Sequence, residues 1–317
     1  MISFILRRIL SLIPVLITVF VVVFLILHLA PGSPASVILG EEATAEEIAK
    51  LNAEMGLDRP LLVQFLAWSG NALTGDLGDS FFLGMPVTQA ITEHVAPTFS
   101  LAIIAEILAI VIAIPLGVLS ARRKGSHTDR AILTGSLFGI SIPSFLLALF
   151  LLLIFGVWLR WFPVGGYEPM SAGFGTWLSY LILPAVALAA MQAALITRMS
   201  RSSMIDVLQM EYIALARAKG LREGTVLFKH ALRNGFLPVL TILGQGLGSL
   251  ITGAVVSETI FTIPGIGTLV VNSVMHRDFS VVQGVVLFTT VVFVLVNLVV
   301  DILYGVFDPR VGVTAKK

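Results

Sequence analysis

The chain has 317 residues, of which 57% are hydrophobic and only 12% charged, with a mean hydropathy of +0.98 and a formal net charge of +1. Soluble domains run near a quarter charged, so most of this surface is expected to face lipid, and the length fits one bundle of spanning helices. The absence of cysteine excludes disulfides, thiolate metal sites and cysteine nucleophiles.

The first element is an apolar run at 9–29, preceded by Arg7 and Arg8. Its length favours a retained helix over a signal peptide, as does Pro31-Gly32-Ser33-Pro34 standing where a small-residue cleavage site would be. An acidic segment, 31–96, follows. Within it Thr44 and Glu47 have the spacing of a capping box, which predicts a helix running to about Met55. A second short helix is predicted over 60–73, with Leu61, Leu62, Phe65, Leu66 and Trp68 on its apolar face.

Further runs at 97–119, 131–158, 178–197, 237–256 and 281–303 are each long enough to cross roughly 30 Å of hydrocarbon. The run at 131–158 is over-long, so it is expected to tilt or to begin before the membrane. Pro14, Pro115, Pro143 and Pro184 lie inside these spans, where neighbouring helices can satisfy the freed backbone groups. The expected fold is an all-α integral membrane protein with six transmembrane helices. Residues 1–96 form an N-terminal helix and outer loop, and 97–317 form a five-helix core.

Sixteen of the twenty Lys and Arg residues fall on one side of this arrangement; only Lys50, Arg59, Arg160 and Arg277 fall on the other. The positive-inside rule therefore places both termini in the cytoplasm. The longest cytoplasmic segment is 198–236. Its stretch 203–219 is helix-forming, and Lys219-Gly220 is a helix stop, with a cation in the last turn and a glycine free to take the left-handed cap conformation. Leu221 is placed to pack back on the cap. A short helix over 223–234 is expected before Leu237-Pro238 enters the fifth span. Such a helical corner, carrying Arg217, Lys219 and Arg222, suits docking into a groove on a soluble partner. A basic interfacial helix on anionic lipid would have the same composition.

The stretch from Tyr212 to Gly220 (Tyr-Ile-Ala-Leu-Ala-Arg-Ala-Lys-Gly), with His230-Ala231-Leu232-Arg233-Asn234 and Leu237-Pro238, resembles the coupling loop of ABC importer permeases of the dipeptide/oligopeptide/nickel family. Gly56-Leu57-Asp58-Arg59-Pro60 and Gly75-Asp76-Leu77-Gly78 agree, as do Pro264-Gly265-Ile266-Gly267 and Asp308-Pro309-Arg310, so the likeness spans essentially the whole chain. Ser33 and Ser280 depart from the family's frequent Asp and Pro.

The resemblance implies a type I importer permease fold in a bacterial or archaeal cytoplasmic membrane. It also implies a second homologous permease, two ATPase subunits and an extracytoplasmic substrate-binding protein as partners, alongside membrane lipid and without nucleic acid. No Gly-x-x-x-x-Gly-Lys-Ser/Thr phosphate cradle occurs, so ATP and Mg belong to the partner ATPases and no cofactor or metal is expected in this chain. The ATPase-coupling set implied is Glu211, Tyr212, Ala216, Arg217, Ala218, Lys219, Gly220 and Leu221. Short peptides are the expected cargo, with nickel or other metal chelates and glutathione-like compounds as alternatives.

Among residues of the spans, Gln245, Ser249 and Thr252 are candidates for the substrate path because they offer hydrogen bonds to a peptide backbone. Gln192 and Ser144 join them, and Glu258 is assigned with the Pro264–Gly267 turn to the outer mouth. Glu106 is the deepest ionisable group; a bond to a neighbouring helix is its expected role, with cargo binding as the alternative. His28 and Asp301 lie near span ends. Trp68, Phe81 and Phe82 are expected apolar contacts for the binding protein. The lack of His-Glu-x-x-His and Gly-x-Ser-x-Gly argues against an intramembrane enzyme. A stand-alone secondary transporter or channel would show matched repeats, which are not evident.

Overall fold

The computed structural model describes residues 2–29, 34–40, 43–54 and 56–307. The Pro31-Gly32-Ser33 and Asp308-Pro309-Arg310 motifs and the side chain of His28 lie outside the described residues. The described part begins with α1 (Ile2–Leu29), α2 (Pro34–Leu39), α3 (Ala45–Glu54) and α4 (Leu61–Leu73). A short hairpin, β1 (Asp79–Ser80) with β2 (Met85–Pro86), is antiparallel, with Asp79 opposite Pro86 and Ser80 opposite Met85. There follow α5 (Val87–Arg122), α6 (His127–Ser141), α7 (Ser144–Leu151), α8 (Phe174–Leu208), α9 (Glu211–Ala218), α10 (Glu223–Thr225), α11 (Leu232–Ile260), α12 (Ile266–Met275) and α13 (Phe279–Phe307).

Among the described residues, Val87–Arg122, Phe174–Leu208, Glu223–Ile260 and Phe279–Ile302 are long and apolar enough to cross a membrane. A fifth span exists if the bent pair α6–α7 is counted as one. The pair bends by 96° because Pro143 can neither donate to the helix ladder nor let its predecessor stay helical; Ile142 is extended at φ −82° and ψ 120°. The over-long third run is therefore a broken helix, where a span that tilts or begins before the membrane was expected. Beyond α7, residues Leu152–Trp158 are wound one residue wider than an α-helix, and Leu159 N donates to Ile154 O at 2.9 Å.

Two further expectations are corrected in the stretch 198–236. The helix predicted over 203–219 is two helices, since α8 stops at Leu208 and α9 starts at Glu211. The short helix predicted before Pro238 does not end there. A π-wound turn, Val226–Ala231, joins α10 to α11, and the rod runs on to Ile260. Pro238 sits within the rod, where its missing N–H costs little if neighbouring groups satisfy the freed carbonyl.

The chain divides into two compact units. One comprises residues 1–5, 97–263 and 295–317. Its core is built from α5, α8 and α11, and small residues set the helix spacing. Ala102, Ala105, Ala109 and Ala113 form a buried stripe at intervals of three and four. Removing large side chains lets backbones approach, which is how helices gain packing energy in lipid. A Cβ on Gly117 would lie 2.5 Å from the Ser200 Cβ and 2.9 Å from the Thr197 carbonyl oxygen, so α5 and α8 cross in contact there.

The other unit comprises residues 6–96 and 264–294. Val87, Ala90, Ile91, Ile266, Leu269, Val281 and Val285 form its buried core. The predicted capping box is present. Thr44 N donates to Glu47 Oε2 at 2.9 Å, and Glu47 N donates to Thr44 Oγ1 at 3.3 Å. These bonds hold the Glu47 carboxyl below its ordinary pKa. The apolar face of α4 is used only in part: Phe65 and Trp68 pack on α1, whereas Leu61, Leu62 and Leu66 are exposed.

Candidate functional site

The helical elbow begins where α8 ends. Helix α9 is amphipathic over two turns, burying Ile213 and Ala216 in a cluster with Val118, Met204, Val207, Val226 and Leu227. Its end is a complete Schellman motif: Gly220 N donates to Arg217 O at 2.9 Å, and Leu221 N donates to Ala216 O at 3.4 Å. Gly220 stands at φ +75°, which a side chain would oppose by ~1–2 kcal/mol. Leu221 completes the backbone pattern yet remains exposed, so it does not pack back as expected.

Two side-chain contacts lock the corner. Arg217 holds Glu223 in a two-point pair, Nη2 to Oε1 at 2.8 Å and Nε to Oε2 at 3.2 Å. The pair raises the guanidinium pKa and holds the Glu223 carboxyl below its ordinary value. Asn234 Nδ2 donates to Tyr212 Oη at 2.7 Å. Arg217 is thus a brace within the corner, whereas the sequence presented it as a cation on display. Glu211, Tyr212, Leu215, Ala218, Lys219, Leu221 and Arg222 form the exposed surface, with Leu215 at 56% exposure. An apolar side chain at that exposure on a rigid, mixed-charge knob fits a protein groove better than bulk water.

Beside the elbow lies a buried ion pair that sequence reasoning missed. The Asp129 carboxylate, in the first turn of α6, accepts Arg201 Nε at 2.7 Å and Nη2 at 2.8 Å. It also accepts Ser120 Oγ and, at 2.8 Å, Gly125 N. Ser126 caps the same helix by accepting Asp129 N at 3.3 Å. Four donors therefore saturate one carboxylate whose side chain is 3% exposed, against 21% for Arg201. Removing one partner of a buried pair costs ~3–5 kcal/mol, because the remaining charge is stranded. The pair Arg217–Glu223, at 44% and 35% exposure, falls in the class worth ~0.2–1 kcal/mol.

The expected path residues separate into two groups. Gln245, Ser249 and Thr252 share one exposed face of α11, at intervals of four and three. The Ser249 and Thr252 hydroxyls donate to the carbonyls of Gly246 and Gly248. Ser144 is half-buried at the start of α7. Gln192 and Glu258 are buried and do not lie on that face. Gln192 Nε2 donates to Ile242 O at 3.2 Å, and a Cβ on Gly246 would fall on its amide, so the glycine exists to admit this side chain. Glu106 of α5 is 5% exposed and its carboxyl lies beside the Gln192 amide of the neighbouring α8. Glu258 is fully buried and accepts Thr98 Oγ1, so its carboxylate faces protein. A separate cavity of about 540 Å³ among α5, α6 and α8 is lined by Leu108, Ile112, Ala190 and other apolar groups, which offer little to a polar cargo.

In the unit formed by 6–96 and 264–294, the hairpin turn is anchored on one carboxylate. Asp278 accepts Ser80 Oγ, Val281 N at 3.3 Å and Phe82 N at 3.4 Å. Phe81 and Phe82 are each 50% exposed; Phe82 stacks on His276 with ring centroids 3.6 Å apart, leaving Phe81 as the freer ring. Trp68 lies against Phe20 at 5.5 Å and Phe24 at 6.1 Å. Its ring therefore holds α4 to α1 and is not a free contact of the kind expected.

Three comparisons bear on this geometry. The profile described as "Binding-protein-dependent transport system inner membrane component" matches residues 113–313, and its N-terminal counterpart matches residues 1–102. A probable peptide ABC transporter permease protein, y4tP of Sinorhizobium fredii, is 42% identical over 97% of this chain and 98% of its own length. The glutathione transport system permease protein GsiC of Pectobacterium atrosepticum is 42% identical over 98% of this chain and 99% of its own. Among solved structures, a chain of the MetNI methionine ABC transporter in an inward facing conformation shares the fold with a TM-score of 0.58. It is 17% identical and covers 69% of this chain and 97% of its own.

Proposed function

The chain belongs to the family of binding-protein-dependent transport system inner membrane components, and from that premise we propose that it is a membrane-spanning permease subunit of an ATP-driven importer of short peptides. The observation that carries this reading is the elbow: a capped, internally braced corner with Leu215, Lys219, Leu221 and Arg222 turned outward. A chain without a phosphate cradle needs such a surface to receive work done elsewhere.

In this account two ATPase subunits bind ATP and Mg, close on each other and carry the elbow with them. This chain and a second, similar permease then alternate between inward and outward openings, and a substrate-binding protein delivers the cargo. The chain has six spans of the type I importer arrangement in the bacterial cytoplasmic membrane, with both termini inside, which matches the sixteen-to-four distribution of Lys and Arg. The outer segment, with Phe81 at its anchored turn, is the platform for the binding protein. Peptide backbones suit the exposed amide and hydroxyls of Gln245, Ser249 and Thr252. Glutathione is the second reading, because a glutathione permease is as similar as a peptide permease.

Reconstitution into vesicles with and without the ATPases tests the proposal. Uptake of labelled di- to pentapeptides that needs ATP, the ATPases and the binding protein is expected. Uptake by the chain alone would refute it, and preferential uptake of glutathione would move the cargo assignment to the second reading.

A further inference from the structure

The ion pair between Asp129 and Arg201 stands between two parts that must move together if the permease is to work. Helix α8 carries Arg201 near its cytoplasmic end and is separated from α9, the first helix of the elbow, by Gln209 and Met210 alone. Helix α6 carries Asp129 in its first turn and ends at the 96° bend before α7. Ser120, near the end of α5, donates to the same carboxylate, and Gly125 N of the α5–α6 turn supplies the fourth bond. The close crossing of α5 on α8 at Gly117 and Ser200 lies directly beside Arg201. One carboxylate therefore fastens the ends of three helices at the base of the elbow. The break at Ile142–Pro143 leaves α6 free to swing against α7, since no helical hydrogen bond is donated by the proline.

We propose that the Asp129–Arg201 pair is the transverse link that makes α6 follow α8 when the elbow moves, with Ile142–Pro143 as the hinge about which α6 swings. Asp129, Arg201 and Ser120 are positioning residues: they touch neither cargo nor nucleotide and act through the helices they tie. The bidentate geometry matters because two parallel bonds resist both stretching and rotation, whereas a single contact would let α6 pivot. This inference rests on the importer reading given above.

The chain has no cysteine, so reporter cysteines in it are unique. Arg130 and Gln209 are exposed, at the start of α6 and the end of α8. Arg130→Cys and Gln209→Cys, spin-labelled in the full complex with the other subunits made cysteine-free, report the separation of α6 and α8 with and without trapped nucleotide. In the otherwise native chain the separation is expected to change by less than about 2 Å, the scale of ordinary helix adjustment. Asp129→Asn and Arg201→Lys are expected to let the separation differ between the two states. Peptide delivered per ATP hydrolysed should fall about fivefold, within the range reported for residues that modulate coupling. Ser120→Ala removes one donor without a charge and is expected to give a smaller shift of the same kind.

The proposal is overturned if the native separation itself changes with nucleotide, or if Asp129→Asn leaves both separation and transport ratio unchanged. It is equally overturned if all three variants only lose assembled complex, which would make the pair a structural tie and nothing more. Failure of the importer reading looks different: the native chain would then show no ATP-dependent uptake at all.

Discussion

Two ion pairs brace the elbow and the helix ends beside it, and they are built on opposite principles. Arg217–Glu223 joins residues six apart across a tight turn, is more than a third exposed on both sides, and shapes a local corner. Asp129–Arg201 joins residues 72 apart, is buried on the acidic side, and saturates its carboxylate with four donors. Water can replace most of what the first pair supplies, whereas nothing replaces the second. Surface shape can thus be set by weak local contacts, while a link between helices requires a bond that fails only at high cost.

The comparison is most sharply tested by removing one partner from each pair. Asp129→Ala should destabilise the purified complex by roughly 3–5 kcal/mol, seen as a lowered midpoint of thermal unfolding, because Arg201 is left without its acceptor. An effect no larger than that of an exposed pair would remove the distinction drawn here. At the elbow, Gly220→Pro loses both the left-handed backbone and the N–H bonded to Arg217 O, a combination costing roughly 3 kcal/mol. We expect membrane insertion to be retained and ATP-driven uptake to be lost, which uptake assays on membranes of matched permease content would check.

Smaller effects separate shape from recognition. Arg217→Glu should impair uptake by placing two carboxylates together, and Arg217→Glu with Glu223→Arg should recover most of it if the pair serves the corner alone. If Arg217 itself contacts an ATPase, the exchange will not restore uptake. Glu223→Gln is expected to cost about 0.2–1 kcal/mol in the same unfolding measurement.

The pH dependence of the elbow is the mildest of these effects. The Glu223 carboxyl is held below its ordinary value of 4.5 by Arg217. The stability from this pair is therefore present above that value and lost as pH falls through the lowered one. Uptake should show no inflection from Glu223 between neutral pH and about pH 5. A Glu223-dependent transition within that window would mean the pair is not formed in the working complex.

What the sequence disclosed was local. The capping box at Thr44 and Glu47 and the glycine corner after Lys219 follow from residue types at fixed short spacings, and both are present. The division at Gln209–Met210 carries no glycine or proline, and the rod through Pro238 carries a proline that does not break it, so both escaped. Packing decides both: Ile213 and Ala216 turn inward onto Val226 and Leu227. The signal at Pro143 was visible, but its 96° consequence depends on how α7 packs against α8. Asp129 and Arg201 were legible only as charges near span ends, since no spacing rule pairs residues so far apart. Gln192 looked like a path residue because a polar side chain in a span invites that reading; its site is instead a hole left by Gly246.

The central claim is that the elbow receives force from a separate ATPase, and contact is its most direct test. With no native cysteine in the chain, Leu215→Cys gives one reactive thiol at the elbow's exposed face. In the assembled complex, a short thiol-directed cross-linker is expected to join this position to an ATPase subunit, with a yield that changes when nucleotide is trapped. Labelling of Leu215→Cys from the outer side of intact cells, or cross-linking to lipid alone, would contradict the account.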